Sequence, residues 1–231
     1  MPNEIIPKNI FQTHKSLEYL KTHHQILNAV KSWTRFSNGF KYSFYDNNMC
    51  DTFIKNNFGL KIIQAYFSLP LGVMKADLWR YCIIYKYGGI YADADTICKI
   101  HPNIFINDSY LTVAPEPGHN YFCQWVFSAP PESPILKTII ELSVDRILQL
   151  SKGDDINIHY LTGPAVFTDG ITKYLNEKNL QTFDDVNKYQ QYPSKVLSVF
   201  NRNNFHDKFI QHLFAGSNKD GWKSKSKNLK M

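Results

Sequence analysis

The chain has 231 residues, 43% hydrophobic and 15% aromatic, enough to bury the core of one ordinary domain without disulfide staples. Its four cysteines, Cys50, Cys82, Cys98 and Cys123, show no Cys-x-x-Cys spacing, which excludes a disulfide scaffold and a zinc cluster and predicts free thiols. Of the net charge of +6, the segment 219–231 carries +4 through five lysines against one aspartate, so the body is nearly neutral and lacks the basic stripe of a nucleic-acid binder.

The first residues form no basic and apolar leader, and no window approaches the roughly 18 apolar residues of a membrane span. A soluble, cytoplasmic protein without a transmembrane segment is the expectation. One domain over 1–218 and a basic, flexible tail over 219–231 are predicted, the tail's charge suiting weak contact with an anionic membrane surface.

In chain order, residues 4–11 read as a short apolar strand entered through Pro7 and followed by a polar turn, Gln12-Thr13-His14. A helical pattern covers 17–30, and alternation over 40–45 gives a second strand ending at Asp46-Asn47-Asn48. Residues 51–67 read as a helix interrupted near Gly59, and a strong helix runs over 73–87 to Gly88-Gly89. Its apolar residues leave Asp77 and Arg80 three apart on one face.

A very short strand, Ile90-Tyr91-Ala92, leads into Asp93-Ala94-Asp95 and an apolar piece over 96–100. Strands at 110–114 and 124–128, a helix over 133–150 and a helix opening at Thr162-Gly163-Pro164 complete the pattern. Strands alternating with helices predict a three-layer α/β domain with a mainly parallel mixed sheet.

Two carboxylates one residue apart on a loop can reach the same hard cation, such as Mg²⁺ or Mn²⁺ bridging a diphosphate, which singles out Asp93 and Asp95. An isolated Asp-x-Asp is commonly no more than a solvated turn. Here its surroundings, Ala76-Asp77-Leu78-Trp79-Arg80-Tyr81 and Tyr87-Gly88-Gly89-Ile90-Tyr91-Ala92-Asp93-Ala94-Asp95, resemble the signature of glycosyltransferase family 32. That group includes the initiating α-mannosyltransferases of yeast type and is distantly similar to the clostridial glucosylating toxins. The stretch from Ile6 to His14, Thr162-Gly163-Pro164, and His212 with Gly216-Ser217 extend the likeness along most of the chain.

The resemblance implies a single GT-A-type nucleotide-sugar-binding domain and a metal-dependent, retaining hexosyltransferase acting on a glycan, lipid-linked or protein acceptor. A UDP-sugar is favoured as donor, with GDP-mannose the other candidate. It implies metal ligation by Asp93, Asp95 and His212, and catalytic roles for Asp93, Asp95, Arg80 and Asp77. Gln12, Thr13, His14, Asp77, Arg80, Tyr91, Asp93, Ser217 and Trp222 are the implied donor contacts. The usual family pattern places Ser-Trp shortly after the histidine, whereas here Ser217 is followed by Asn218-Lys219-Asp220-Gly221 before Trp222, which puts the tryptophan's closing role in question. The alternatives are a donor-binding protein without turnover and a haloacid-dehalogenase-like phosphatase using Asp93-Ala94-Asp95-Thr96 with Gly153-Asp154-Asp155. The phosphatase reading leaves Asp77, Arg80 and Thr162-Gly163-Pro164 unexplained.

Overall fold

The structure, a computed structural model, describes residues 6–36, 39–192, 195–217 and 229–230. Its elements run β1 (Asn9–Thr13), α1 (Leu17–Thr22), α2 (His24–Thr34), β2 (Lys41–Tyr45), α3 (Asn47–Asn57), α4 (Leu60–Ser68) and α5 (Gly72–Tyr87). They continue with β3 (Gly89–Ala92), β4 (Thr96–Cys98), β5 (Leu111–Val113), β6 (Val126–Ala129), α6 (Pro134–Leu148), α7 (Ile158–Leu161), α8 (Pro164–Glu177), β7 (Leu197–Val199) and β8 (Ile210–His212).

Six strands form one sheet in the order β2-β1-β3-β6-β5-β7, and β4 pairs with β8 in a separate ribbon. β1 runs parallel to β2 and β3, and β5 parallel to β7, while β6 is antiparallel to both its neighbours, β3 and β5. Alternation along the strands feeds two cores. Phe11, Tyr91 and Phe127 pack beneath α3, α4, α5, α6 and α8, whereas Ile10, Ile90 and Val126 face Trp33 of α2 together with Phe105, Phe205 and Ile210. Both faces of the sheet are thus buried, giving the three-layer α/β arrangement expected from the alternating pattern.

Two local features differ from expectation. Gln12 and Thr13 belong to β1 itself, because β2 continues to pair with them, Gln12 opposite Phe44 and Thr13 opposite Tyr45; the polar turn begins only at His14. The helical run at 17–30 breaks at His23, which ends α1 and begins α2 with its ring nitrogen 2.8 Å from the Tyr19 carbonyl. The four cysteines are free and buried, as predicted.

α5 is the central helix. Every residue from Asp77 to Ile84 is buried, so it passes through the domain instead of lying on its surface, and its charged face points inward. Gly88 stops it at φ +61°, where a Cβ would sit 2.6 Å from Pro131 and 2.7 Å from Pro7; at Gly89 it would sit 2.7 Å from Asn9. Only glycines let β3 leave the helix end so abruptly and still pair with β1. Of the basic tail, Leu229 and Lys230 are described: the Ile156 N–H donates to the Leu229 carbonyl at 3.0 Å, and Lys230 lies 2.7 Å from Asp155. Among the described residues no helix is long and apolar enough to cross a membrane.

Candidate active site

β3 and β4 are joined by a turn made of Asp93, Ala94 and Asp95. The Thr96 N–H closes it onto the Asp93 carbonyl at 3.0 Å, and the Thr96 hydroxyl reinforces that bond at 2.6 Å. The Asp93 N–H donates to the Trp125 carbonyl at 2.8 Å, anchoring the turn to the chain entering β6. The β4–β8 ribbon then sets His212 opposite Thr96. A histidine 117 positions downstream of Asp95 is brought to the turn by strand pairing alone.

The three side chains converge. His212 Nε2 lies 3.6 Å from Asp95 Oδ1 and 3.9 Å from Asp93 Oδ2, and one ligand atom from each residue falls within 4.8 Å of the others. Hard carboxylate oxygens with one imidazole nitrogen fit Mn²⁺ or Mg²⁺ in donor chemistry. His212 Nδ1 accepts the Phe214 N–H at 2.9 Å, which leaves the Nε2 proton toward the carboxylates. Ligation through Nε2 therefore requires that proton to move to Nδ1 and the Phe214 N–H to let go. The neighbouring carboxylates outweigh burial and raise the His212 pKa above its ordinary 6.5.

Behind the turn, Arg80 bridges two carboxylates, 2.9 Å from Asp77 and 3.2 Å from Asp93, with its guanidinium 4.8 Å from the Tyr91 ring centre. Asp77 and Arg80 are 2% and 4% exposed, so this pair is interior, unlike the weak surface pair that their i, i+3 spacing alone would suggest. Asp77 also accepts from Gln124 Nε2 at 3.2 Å and from the Thr162 hydroxyl at 3.0 Å. Burial is the largest influence on Asp77 and lifts it to about 7. At Asp93 burial also pushes upward, but Arg80, His212 and the Tyr91 hydroxyl together hold the carboxyl below the ordinary carboxylate range. Burial raises Asp95 despite His212. The site thus holds an ionised Asp93 clamped by a permanently charged Arg80.

Residues 13–111 match the family model described as the glycosyltransferase sugar-binding region containing a DXD motif. The chain thus carries a region similar to the sugar-binding region of DXD-containing glycosyltransferases, with Asp93 and Asp95 inside it. It is 28% identical over 258 residues to the initiation-specific alpha-1,6-mannosyltransferase of Schizosaccharomyces pombe, covering 93% of this chain and 64% of that protein. It is 30% identical over 148 residues to an uncharacterized glycosyltransferase, L373, of Acanthamoeba polyphaga mimivirus, covering 63% of this chain and 56% of that one. The chain therefore spans less than two thirds of the length of these relatives. Among solved structures, the PaToxG glycosyltransferase superposes with a TM-score of 0.56 at 16% identity over 76% of this chain and 74% of that one, a likeness of fold. The GT-A-type α/β fold expected from the sequence is the one observed.

The DXD aspartates are the hub onto which the other expected donor contacts converge unequally. Gln12 is fully buried, donating to the Asp93 carbonyl at 3.1 Å and accepting from the Tyr42 hydroxyl at 2.9 Å; it props the turn from behind. The Thr13 hydroxyl donates to the Tyr45 carbonyl at 2.8 Å and lies 3.2 Å from Cys50 Sγ. Tyr91 donates to Asp93 at 2.5 Å and is 1% exposed, a support for the DXD turn. His14 is different: its Nδ1 is buried without a partner, its ring stacks on Tyr19, and burial lowers its pKa to about 4, so it presents a neutral imidazole. Arg80 Nε is likewise buried and unpartnered. Two unmatched buried groups around one carboxylate turn are consistent with a polar ligand there.

Ser217 belongs to the short turn Ala215–Ser217, while Trp222 lies outside the described residues. Asp154 accepts the Ser151 N–H and Asp155 pairs with Lys230, so the acidic loop of the phosphatase alternative serves local structure. Three participants escaped the sequence reading. Gln124 binds Asp77 and accepts a short hydrogen bond from the Tyr81 hydroxyl. The Ala215 N–H donates to Asp95 Oδ2 at 2.9 Å. Glu116 accepts the Trp125 indole N–H at 2.9 Å, and Trp125 packs edge-on against His212 with ring centres 4.8 Å apart. Burial lifts Glu116 to about 7. Thr162, which also donates to Asp77, was by contrast visible in the sequence before the Gly-Pro that opens α8.

Proposed function

We propose that this chain is a metal-dependent glycosyltransferase that moves a hexose from a nucleoside diphosphate sugar to a hydroxyl acceptor on a glycan, a lipid-linked sugar or a protein, with retention of configuration. The observation that carries this reading is the convergence of Asp93, Asp95 and His212 on one point with Arg80 charged and buried behind it. Asp93, Asp95 and His212 would hold a divalent ion, which would supply positive charge to the diphosphate leaving group. Arg80 adds fixed positive charge in a water-excluded setting, where it needs no reorganisation as the leaving group gains charge. Asp77, Gln124 and Thr162 hold Arg80 in place, and Tyr91 and Gln12 hold Asp93.

Retention without a covalent intermediate is supported by how the carboxylates are engaged. Both Asp77 oxygens already accept hydrogen bonds, and Asp93 is clamped between Arg80 and Tyr91, which leaves neither poised to attack an anomeric carbon. The donor reading rests on two considerations: the family resemblance implies a UDP-sugar, while a relative named for mannosyl transfer favours GDP-mannose.

The test is a panel of UDP- and GDP-sugars with Mn²⁺, following nucleotide release by this protein and by the Asp93→Asn, Asp95→Asn double variant. Metal-dependent release from one donor, lost in the variant, is the expected result. Donor binding without release would make the chain a binding protein, and no binding to any donor with any divalent ion would overturn the reading. A sugar trapped covalently on the protein would sink the mechanism while sparing the activity.

A further inference from the structure

Phe214 follows the metal-site histidine by two residues and is unusual in two independent respects. Its backbone has φ +51°, in the left-handed region where a glycine is at ease and a phenylalanine is strained. The residue is nevertheless 48% exposed, so the strain is not offset by burying the side chain in a core. That combination points toward function at the site the strained residue borders.

The backbone conformation has a clear local purpose. Three successive N–H groups turn inward onto the site: Leu213 donates to the Asp95 carbonyl at 2.9 Å, Phe214 to His212 Nδ1 at 2.9 Å and Ala215 to Asp95 Oδ2 at 2.9 Å. A glycine at 214 would make the same turn without strain, so the turn does not account for the ring. The ring lies against the His212 imidazole with centres 4.2 Å apart and its remaining surface open to solvent. It is thus an apolar plate beside the ion-binding atoms, held by the Leu213 and Ala215 N–H bonds to Asp95 on either side, which do not depend on the His212 tautomer, at the solvent edge of a site whose interior is charged. A pyranose presents a face of C–H groups that suits such a plate, while its hydroxyls remain free for polar partners.

We propose that Phe214 is a sugar-stacking platform, a binding contact for a pyranose at the mouth of the metal site. The inference rests on the transferase reading and deepens it. Donor and acceptor sugars share the stacking chemistry, and the experiment separates them.

Phe214→Gly removes the ring and keeps the left-handed turn, with Phe214→Tyr as the conservative variant. Three quantities are measured on each protein: Mn²⁺ binding in the presence of UDP or GDP, metal-dependent hydrolysis across the panel of UDP- and GDP-sugars, and saturation-transfer NMR binding of methyl mannoside, glucoside, galactoside and N-acetylglucosaminide to the Mn²⁺-nucleotide complex. The expected result is Mn²⁺ binding within about twofold to threefold of wild type, a loss on the order of tenfold in a sugar-dependent quantity, and recovery in Phe214→Tyr. A rise in donor KM assigns the platform to the donor sugar; weakened glycoside binding assigns it to the acceptor. The proposal is overturned if Phe214→Gly matches wild type in both sugar arms, or if Mn²⁺ binding falls in step with them, since the ring would then only brace His212. A wild-type protein that releases nucleotide from no donor would refute the transferase reading instead, a distinct outcome.

Discussion

Asp77 and Asp95 are both carboxylates of one site, yet their surroundings predict opposite behaviour on mutation. Asp77→Ala leaves Arg80 buried with Asp93 as its one remaining carboxylate and strips acceptors from Gln124 and the Thr162 hydroxyl. Removing one partner of a buried ion pair costs about 3–5 kcal/mol. The remaining contact to Asp93 at 3.2 Å argues for the lower end, about 3 kcal/mol. In a chain of this size each kcal/mol moves the melting temperature by about 2–4 °C, so Asp77→Ala should melt about 6–12 °C below wild type. Asp95→Asn instead removes a charge that faces Asp93 and keeps an oxygen for the Ala215 N–H. Without metal it should melt within about 1 kcal/mol, or 2–4 °C, of wild type. Mn²⁺ reverses the emphasis. At a hundredfold excess over Kd an ion bound only by the folded chain stabilises it by about 2.7 kcal/mol, roughly 5–11 °C, and Asp95→Asn should lose most of that gain. Thermal unfolding of the three proteins with chelator and then with Mn²⁺ provides the assay. A metal-free Asp77→Ala melting within about 2 °C of wild type, or an Asp95→Asn falling equally far, would refute the division between a carboxylate that holds the fold and one that holds the ion.

Glu116 gives a pH signature. The folded chain holds its proton to about 7, whereas the unfolded chain releases it near the ordinary carboxylate value, so wild-type stability should decline relative to Glu116→Gln as pH rises from about 5 to 7, by at most about 2–3 kcal/mol. A pH-independent difference in melting temperature would contradict this. His212 works in two directions. Its raised pKa means that protonation stabilises the metal-free fold below the unfolded value and that this contribution disappears as pH rises through the folded pKa, while Mn²⁺ affinity strengthens over the same range as the proton leaves. Calorimetric Mn²⁺ titrations should show affinity dropping as pH falls through a midpoint above 6.5, and His212→Ala should flatten that profile. Gly170→Ala tests packing between α6 and α8: its Cβ would sit 2.6 Å from Ile139 Cγ1 and 2.9 Å from the Ile139 Cα. Overpacking of about 1–3 kcal/mol should exceed the gain of about 1 kcal/mol in helix propensity, and an unchanged or raised melting temperature would show that the helices can part freely.

What the sequence exposes and what it hides divide along physical lines. The helix over 73–87, the glycine stop at Gly88-Gly89 and the short β3 are local consequences of propensity and steric freedom, so they are legible from neighbouring residues. The three-layer arrangement follows from strand–helix alternation. The burial of α5 on all sides is not local: Arg80 and Asp77 look like a polar face until Gln124 and Thr162, more than forty and eighty positions away, supply partners that make an interior charge pair tolerable. Gln12 and Thr13 misled for a related reason. Polar residues at a strand's end resemble a turn, but β2 extends alongside them and Asp93 and Tyr45 offer carbonyls that satisfy their side chains.

At the site, the motif reveals the aspartates but not the machinery that aims them. The β4–β8 ribbon is three residues on each strand, too short for any periodicity to announce, yet it alone delivers His212 and the 213–215 backbone to Asp95. Glu116 and Phe214 had no spacing signal either, because one acts through Trp125 and the other through a backbone conformation that no composition encodes. Both border His212, one through an indole edge and one by ring contact. The part of the site legible in the sequence, the Asp93–Asp95 turn after β3 and Asp77 and Arg80 on α5, with His212 of β8 given by the family resemblance, is therefore the part that grips charge. The part that meets solvent is assembled from chain segments after position 110, and selectivity for what enters should be sought by substitution there, with the DXD turn left intact.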